Sequence, residues 1–150
     1  MENQNLVIRP FDVATDIEKL SSIWFEASLK AHPFIGEPRL LEQRRLIERK
    51  YLPKAETWVA CHAGEAIGFI SLLGNFIGGI FIAPDRQGMG VGRKLIAHAL
   101  DRKGELSLEV YTANEQAVRF YTSLGFREVS RRDVDDFGYP FQNAALHLKG

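Results

Sequence analysis

At 150 residues the chain is long enough to bury one substantial core and too short to expect two, so residues 1–150 are expected to form a single domain. Hydrophobic residues make up 45% and charged residues 25%, with ten Phe, four Tyr and two Trp, which excludes a disordered chain. Nineteen basic and nineteen acidic residues cancel, so no overall field draws in nucleic acid or an anionic membrane, and neither is expected as a partner.

Cys61 is the single cysteine and has no partner for an internal disulfide. The opening residues show no basic-then-apolar signal pattern, and no apolar run is long enough to span a bilayer. A soluble cytoplasmic protein is the resulting expectation.

Residues 6–9 read as a first strand stopped by Pro10. Thr15 or Asp12 is expected to cap a helix whose Ile17, Leu20, Trp24 and Ala27 share a stripe. That helix should end near His32-Pro33, because the residue before proline resists helical geometry. The loop His32-Pro33-Phe34-Ile35-Gly36 reads equally as a binding loop or as a hydrophobic corner tucked under the domain. Pro38 can open a second helix reaching about Tyr51, with Leu40, Leu41, Ile47 and Tyr51 inward and Arg44, Arg45, Arg49 and Lys50 on a solvated face.

Residues 58–62, 67–73 and 76–83 are three strands at hairpin spacing, separated by turns at Gly64 and Gly74-Asn75, and should form an antiparallel meander. Beyond them Val91, Leu95, Ile96, Ala99 and Leu100 fall on one helical face. Residues 106–111 make another strand. Ala117, Phe120, Tyr121 and Leu124 then mark a helix that ends at Gly125, and residues 127–133 and 144–148 close the sheet around a loop at 135–142. This order is an α+β layer arrangement rather than a doubly wound one.

The glycines at 88, 90 and 92 therefore sit where a strand ends and a helix begins. A helix entry leaves backbone N–H groups unpaired and carries about half a positive charge, and side-chain-free residues let a diphosphate reach it. A P-loop would need a lysine followed by Ser or Thr after its last glycine, and none is present here. A dinucleotide fingerprint would need Gly-x-Gly-x-x-Gly, whereas this loop is Gly-x-Gly-x-Gly.

Gln87-Gly88-Met89-Gly90-Val91-Gly92 fits instead the pattern Gln/Arg-x-x-Gly-x-Gly/Ala. A second block follows it at residues 114–126, with Asn114, Ala117, Phe120, Tyr121, Gly125 and Phe126 at fixed spacing. In this order the two blocks resemble the GNAT superfamily of acetyl-CoA-dependent N-acetyltransferases, from about Trp58 to the C-terminus. Trp58-Val59-Ala60, His32-Pro33-Phe34, Leu108-Glu109-Val110-Tyr111 and Asp133-Val134-Asp135-Asp136 are similar to stretches of small bacterial members.

The resemblance implies a mixed, largely antiparallel sheet of about seven strands with four helices, splayed between the fourth and fifth strands. It implies acetyl-CoA as cosubstrate, a primary amine as acceptor, direct attack on the thioester and no metal. By the same likeness the backbone of Ile80, Phe81 and Ile82 would bond the pantetheine arm. Amides of Gly88, Met89, Gly90, Val91, Gly92 and Arg93 would hold the diphosphate. Arg86, Arg93 and Lys94 are placed to meet phosphate, with none assigned to the 3′-phosphate.

Asn114 would contact the pantetheine arm, cap its own helix, or do both. Tyr121 would protonate the departing thiolate. Glu109 stands where some members place a base, and reads otherwise as a strand carboxylate oriented by a neighbour. His32, Tyr111, Asp133, Asp135 and Asp136 are the fallback candidates, and Phe76, His32 and Tyr111 would line the acceptor side. Cys61, in an apolar strand, reads as packing rather than nucleophile. The acceptor could be a protein lysine, a peptide N-terminus, a polyamine or an aminoglycoside. The competing class is a non-catalytic acyl-CoA-binding module.

Overall fold

A computed structural model describes residues 6–150; the first five, on which part of the signal-sequence reading rests, lie outside the described residues. The elements run β1 (Leu6–Pro10), α1 (Ile17–Ala31), α2 (Glu37–Leu46), β2 (Glu56–His62), β3 (Glu65–Leu73) and β4 (Phe76–Ile82). They continue with α3 (Val91–Lys103), β5 (Glu105–Tyr111), α4 (Glu115–Ser123), β6 (Arg127–Arg132) and β7 (Asn143–Lys149). All seven strands form one sheet in the order β1-β2-β3-β4-β5-β7-β6, antiparallel except for β4 and β5. Among the described residues no helix is long and apolar enough to cross a membrane.

Strand alternation gives the sheet two buried faces. Val59, Cys61 and Phe69 pack with Leu20, Trp24 and Leu40 of α1 and α2, whereas Ala60, Ile70 and Leu72 pack with Leu95, Ile96 and Ala99 of α3. Successive side chains point to opposite faces, so each central strand feeds both cores. Cys61 is free and buried in the first of them.

The meander forms as expected. Its first turn places both Ala63 (φ 52°) and Gly64 (φ 83°) in the left-handed region, which twists the backbone as a two-residue hairpin requires. In the next hairpin Ser71 faces Gly79 and Leu72 faces Ile77, which leaves Gly78 as the extra residue of a β-bulge. β4 pairs with β5 only at Phe76 and Ile77. The bulge bends β4 just where this pairing ends, so the two parallel strands splay and residues 79–82 turn a free edge toward the gap.

Several boundaries differ from the expectation. The N-cap of α1 is Asp16, not Thr15 or Asp12; its carboxylate caps nothing in the helix, because it accepts from Arg9 at 2.7 and 2.9 Å and from the Asp12 N–H at 2.7 Å. The second helix runs as α2 and then widens into a π-helical turn, Ile47–Tyr51, closed by a bond from the Leu52 N–H to the Ile47 carbonyl at 2.9 Å. The wider turn shifts the register by a residue. Leu52 is therefore buried, whereas Tyr51 is exposed, contrary to the inward position expected of it. Leu41, also expected inward, is 47% exposed, because the buried stripe of α2 runs through Leu40 and Gln43. Arg44 is not merely solvated: it donates to Ser22 Oγ at 2.9 Å and Ser21 Oγ at 3.3 Å.

Candidate active site

The splay opens a cleft of about 680 Å³ between β4 and β5, bounded by α1, α2, the entry of α3 and α4. Ile80, Phe81 and Ile82 line it from the free edge of β4, as do Gly88, Gly90, Val91, Gly92 and Arg93 at the entry of α3. Met89 does not line the cleft; its side chain packs against the core. Gly88 (φ 84°) and Gly90 (φ 81°) hold left-handed backbone that an L side chain resists. Gly92 answers to a different constraint, since a Cβ there would lie 3.2 Å from the Phe120 ring. That glycine lets α3 and α4 approach each other.

No side chain caps α3, and its first turn holds no acidic residue, so the N–H groups of the entry remain available to an anion. Arg93 and Lys94 are exposed beside them. Arg86, expected at the phosphate, lines the cleft and pairs with Glu65 Oε1 at 2.8 Å.

Asn114 caps α4, its Oδ1 accepting from the Ala117 N–H at 3.2 Å, while its Nδ2 donates to His32 Nε2 at 3.1 Å. That bond ties the end of α1 to the start of α4 across the mouth of the cleft. Burial pushes the His32 imidazole down to about 4, so it is neutral at physiological pH. It sits edge-on to Phe34 and Tyr111, with ring centroids at 5.7 and 5.0 Å.

Tyr121 lies on the cleft wall, 9% exposed, against Phe120 and Phe126. Desolvation raises its phenol above the ordinary tyrosine range, so the hydroxyl keeps its proton. Glu109 projects from β5 into the same cleft, and both of its oxygens are engaged by Arg132, at 2.7 and 2.8 Å. Arg132 also pairs with Asp136. Phe76, the first residue of β4, lines the cleft from the short stretch that pairs with β5.

The fallback candidates are separated by their partners. Tyr111 donates its hydroxyl to Asp135 Oδ2 at 2.8 Å, and burial first and that bond second raise its phenol well above the usual range. The other oxygen of Asp135 accepts from the Phe137 and Tyr139 N–H groups, both at 2.9 Å, so this carboxylate organises the loop between β6 and β7. Asp133 is exposed and does not line the cleft.

Arg132 was not singled out by sequence reasoning. It reaches Glu109 across β7, where Ala145 stands opposite Glu109 and offers only a methyl group. Gln43 and Trp24 were likewise missed as cleft residues. The sequence does carry a signal for Gln43, a polar residue on the buried stripe between Leu40 and Ile47.

An extended edge with unspent hydrogen bonds suits an arm that carries amides, and bare N–H groups at the end of that edge suit a diphosphate; coenzyme A offers both in that order. Residues 53–128 match the Acetyltransferase (GNAT) domain family. The chain belongs to that family and is an N-acetyltransferase that takes its acetyl group from acetyl-CoA. It is 40% identical over 125 residues to the peptidyl-lysine N-acetyltransferase YjaB of Escherichia coli K12, across 83% of this chain and 84% of that one. It is 32% identical over 127 residues to the peptidyl-lysine N-acetyltransferase YiaC of the same strain, across 84% and 87%. The solution structure of apo-form YjaB from Escherichia coli superposes with a TM-score of 0.86 at 36% identity, covering 95% of this chain and 96% of that one. With catalysts as its relatives, the non-catalytic reading is not favoured. Among the described residues no group of three or more His, Cys, Asp or Glu side chains is arranged to hold a metal ion.

Proposed function

We propose that the acceptor is the ε-amine of a lysine within a peptide or protein, and that residues 1–150 act as one cytoplasmic N-acetyltransferase domain with no nucleic-acid partner. The acceptor chemistry is printed in the name of YjaB for that enzyme, at 40% identity. The observation that carries it to this chain is the lining of the cleft, where Tyr111 and Phe137 accompany Glu109 and Asp136, two carboxylates that share the single guanidinium of Arg132 and so keep a net negative charge. Carboxylates favour a cationic head, and aromatic faces favour an alkyl stem and an ammonium.

Acetyl-CoA, when bound, supplies an activated acetyl group that the amine attacks directly. The β4 backbone at residues 80–82 and the N–H groups at residues 88–93 hold and orient it, and Asn114 steadies the arm. A lysine amine with a pKa of about 10.4 is neutral only about one time in 10³ at pH 7, a handicap of about 4–5 kcal/mol. Glu109, oriented by Arg132, takes up the amine proton directly or through a water. Tyr121, kept protonated by its burial, presents the Oη proton to the departing sulfur.

The test is a thiol-release assay with a lysine-containing peptide, spermidine and an aminoglycoside as competing acceptors. The peptide is expected to give the highest kcat/KM. Turnover confined to spermidine or the aminoglycoside would reject the lysine assignment.

A further inference from the structure

The α1–α2 side of the cleft contains a residue that acetyl transfer does not explain. Gln43 is 4% exposed and lines the cleft, and its Nε2 has no hydrogen-bond partner among the described residues. It lies on the same helical stripe as Leu40 and Ile47, and Trp24, Ala27 and Ile35 line the cleft around it. Burying a primary amide among apolar groups without a partner is unfavourable, and a leucine or methionine there would continue the stripe. The fold therefore gains nothing visible from the amide.

Gln43 also lies one turn before the π-helical segment, and such widened turns recur at functional sites. The terminal torsion of glutamine has a broad well, so a small rotation presents the amide to a group lodged in the cleft. A neutral amide is both donor and acceptor, and its natural complement is another amide. The charged amine, by contrast, is met by the carboxylates of the opposite rim.

We propose that Gln43 is a specificity-determining residue that hydrogen-bonds a backbone amide of the acceptor flanking the modified lysine. This deepens the peptidyl-lysine reading and rests on it. The cleft then recognises its acceptor at two points, by carboxylates and rings at the amine end and by Gln43 at the amide end. Alkyl amines and polyamines offer only the first.

Two small acceptors isolate the second point. Nα-acetyl-lysine N-methylamide and n-pentylamine present similar amines on similar stems, and only the former carries amides. Wild-type protein is expected to favour the lysine derivative by roughly tenfold in kcat/KM, expressed in KM. In Gln43→Met that ratio should collapse to about twofold or less. The variant should also melt at or above the wild-type temperature, since no internal bond is lost. No preference in the wild type, a preference retained in Gln43→Met, or a variant that melts far below wild type would each overturn the assignment. If the wild type acetylates spermidine but neither probe, the peptidyl-lysine reading falls and takes this inference with it.

Discussion

The Tyr121 hydroxyl faces the cleft from a wall of aromatic rings, with desolvation as the cause of its raised pKa. The phenol therefore stays protonated and donates a hydrogen bond to the sulfur as negative charge develops there, where the same apolar wall raises the basicity of the thiolate as well. Tyr121→Phe removes only that oxygen and leaves the packing against Phe120 and Phe126. It should lower kcat by about 10²-fold or more while the KM for acetyl-CoA changes by about twofold at most. Steady-state thiol release decides the matter, and unchanged turnover would reject the proton-donor role. His32 gives a second test. Its folded pKa of about 4 lies below the ordinary 6.5, so the unfolded chain binds more protons between those values. Stability from this group is complete above about pH 6.5 and is lost as the pH falls toward 4. His32→Asn should melt with a shallower pH dependence across that window, and parallel curves for the two proteins would contradict the assignment.

At the scale of elements, the site depends on two backbone features, the bulge that frees the edge of β4 and the glycine entry of α3. Gly88 and Gly104 both hold left-handed backbone, at φ 84° and 80°, and a Cβ on either would meet open space. Alanine at each position should therefore cost a similar amount, about 1–2 kcal/mol in denaturant unfolding. Only Gly88→Ala should also weaken coenzyme A binding by calorimetry, because Gly104 caps the far end of α3. Equal effects on binding would mean that the loop conformation is not what receives the ligand. The entry was legible in the sequence because its signals are contiguous, with strand, glycines and helix following within a short stretch. The bulge was not. Gly78-Gly79 reads as an ordinary pair of strand glycines, and only the register of β3 against β4 shows which residue is extra.

Across the whole molecule, the alternation of strand residues and the helix stripes gave the layers, and the blocks at 87–92 and 114–126 gave the family. What stayed hidden were contacts closed by the sheet order. β7 inserts between β5 and β6, so Arg132 meets Glu109 through a pairing that no local pattern encodes, and Asn114 meets His32 over a separation of 82 residues. The balanced charge has its own consequence. With a net charge of zero, the salt dependence of coenzyme binding comes from local cations such as Arg93 and Lys94. Raising ionic strength should raise the KM for acetyl-CoA, and Arg93→Gln should flatten that trend; a salt response unaltered in the variant would remove Arg93 from the phosphate site. The central claim is that coenzyme A lies along the free edge of β4 with its diphosphate at the entry of α3. Titrating isotope-labelled protein with coenzyme A and following backbone amide resonances tests it directly. The account predicts the largest shifts at residues 80–82 and 88–93, and shifts confined to the β1 edge or the outer face of α1 would contradict it.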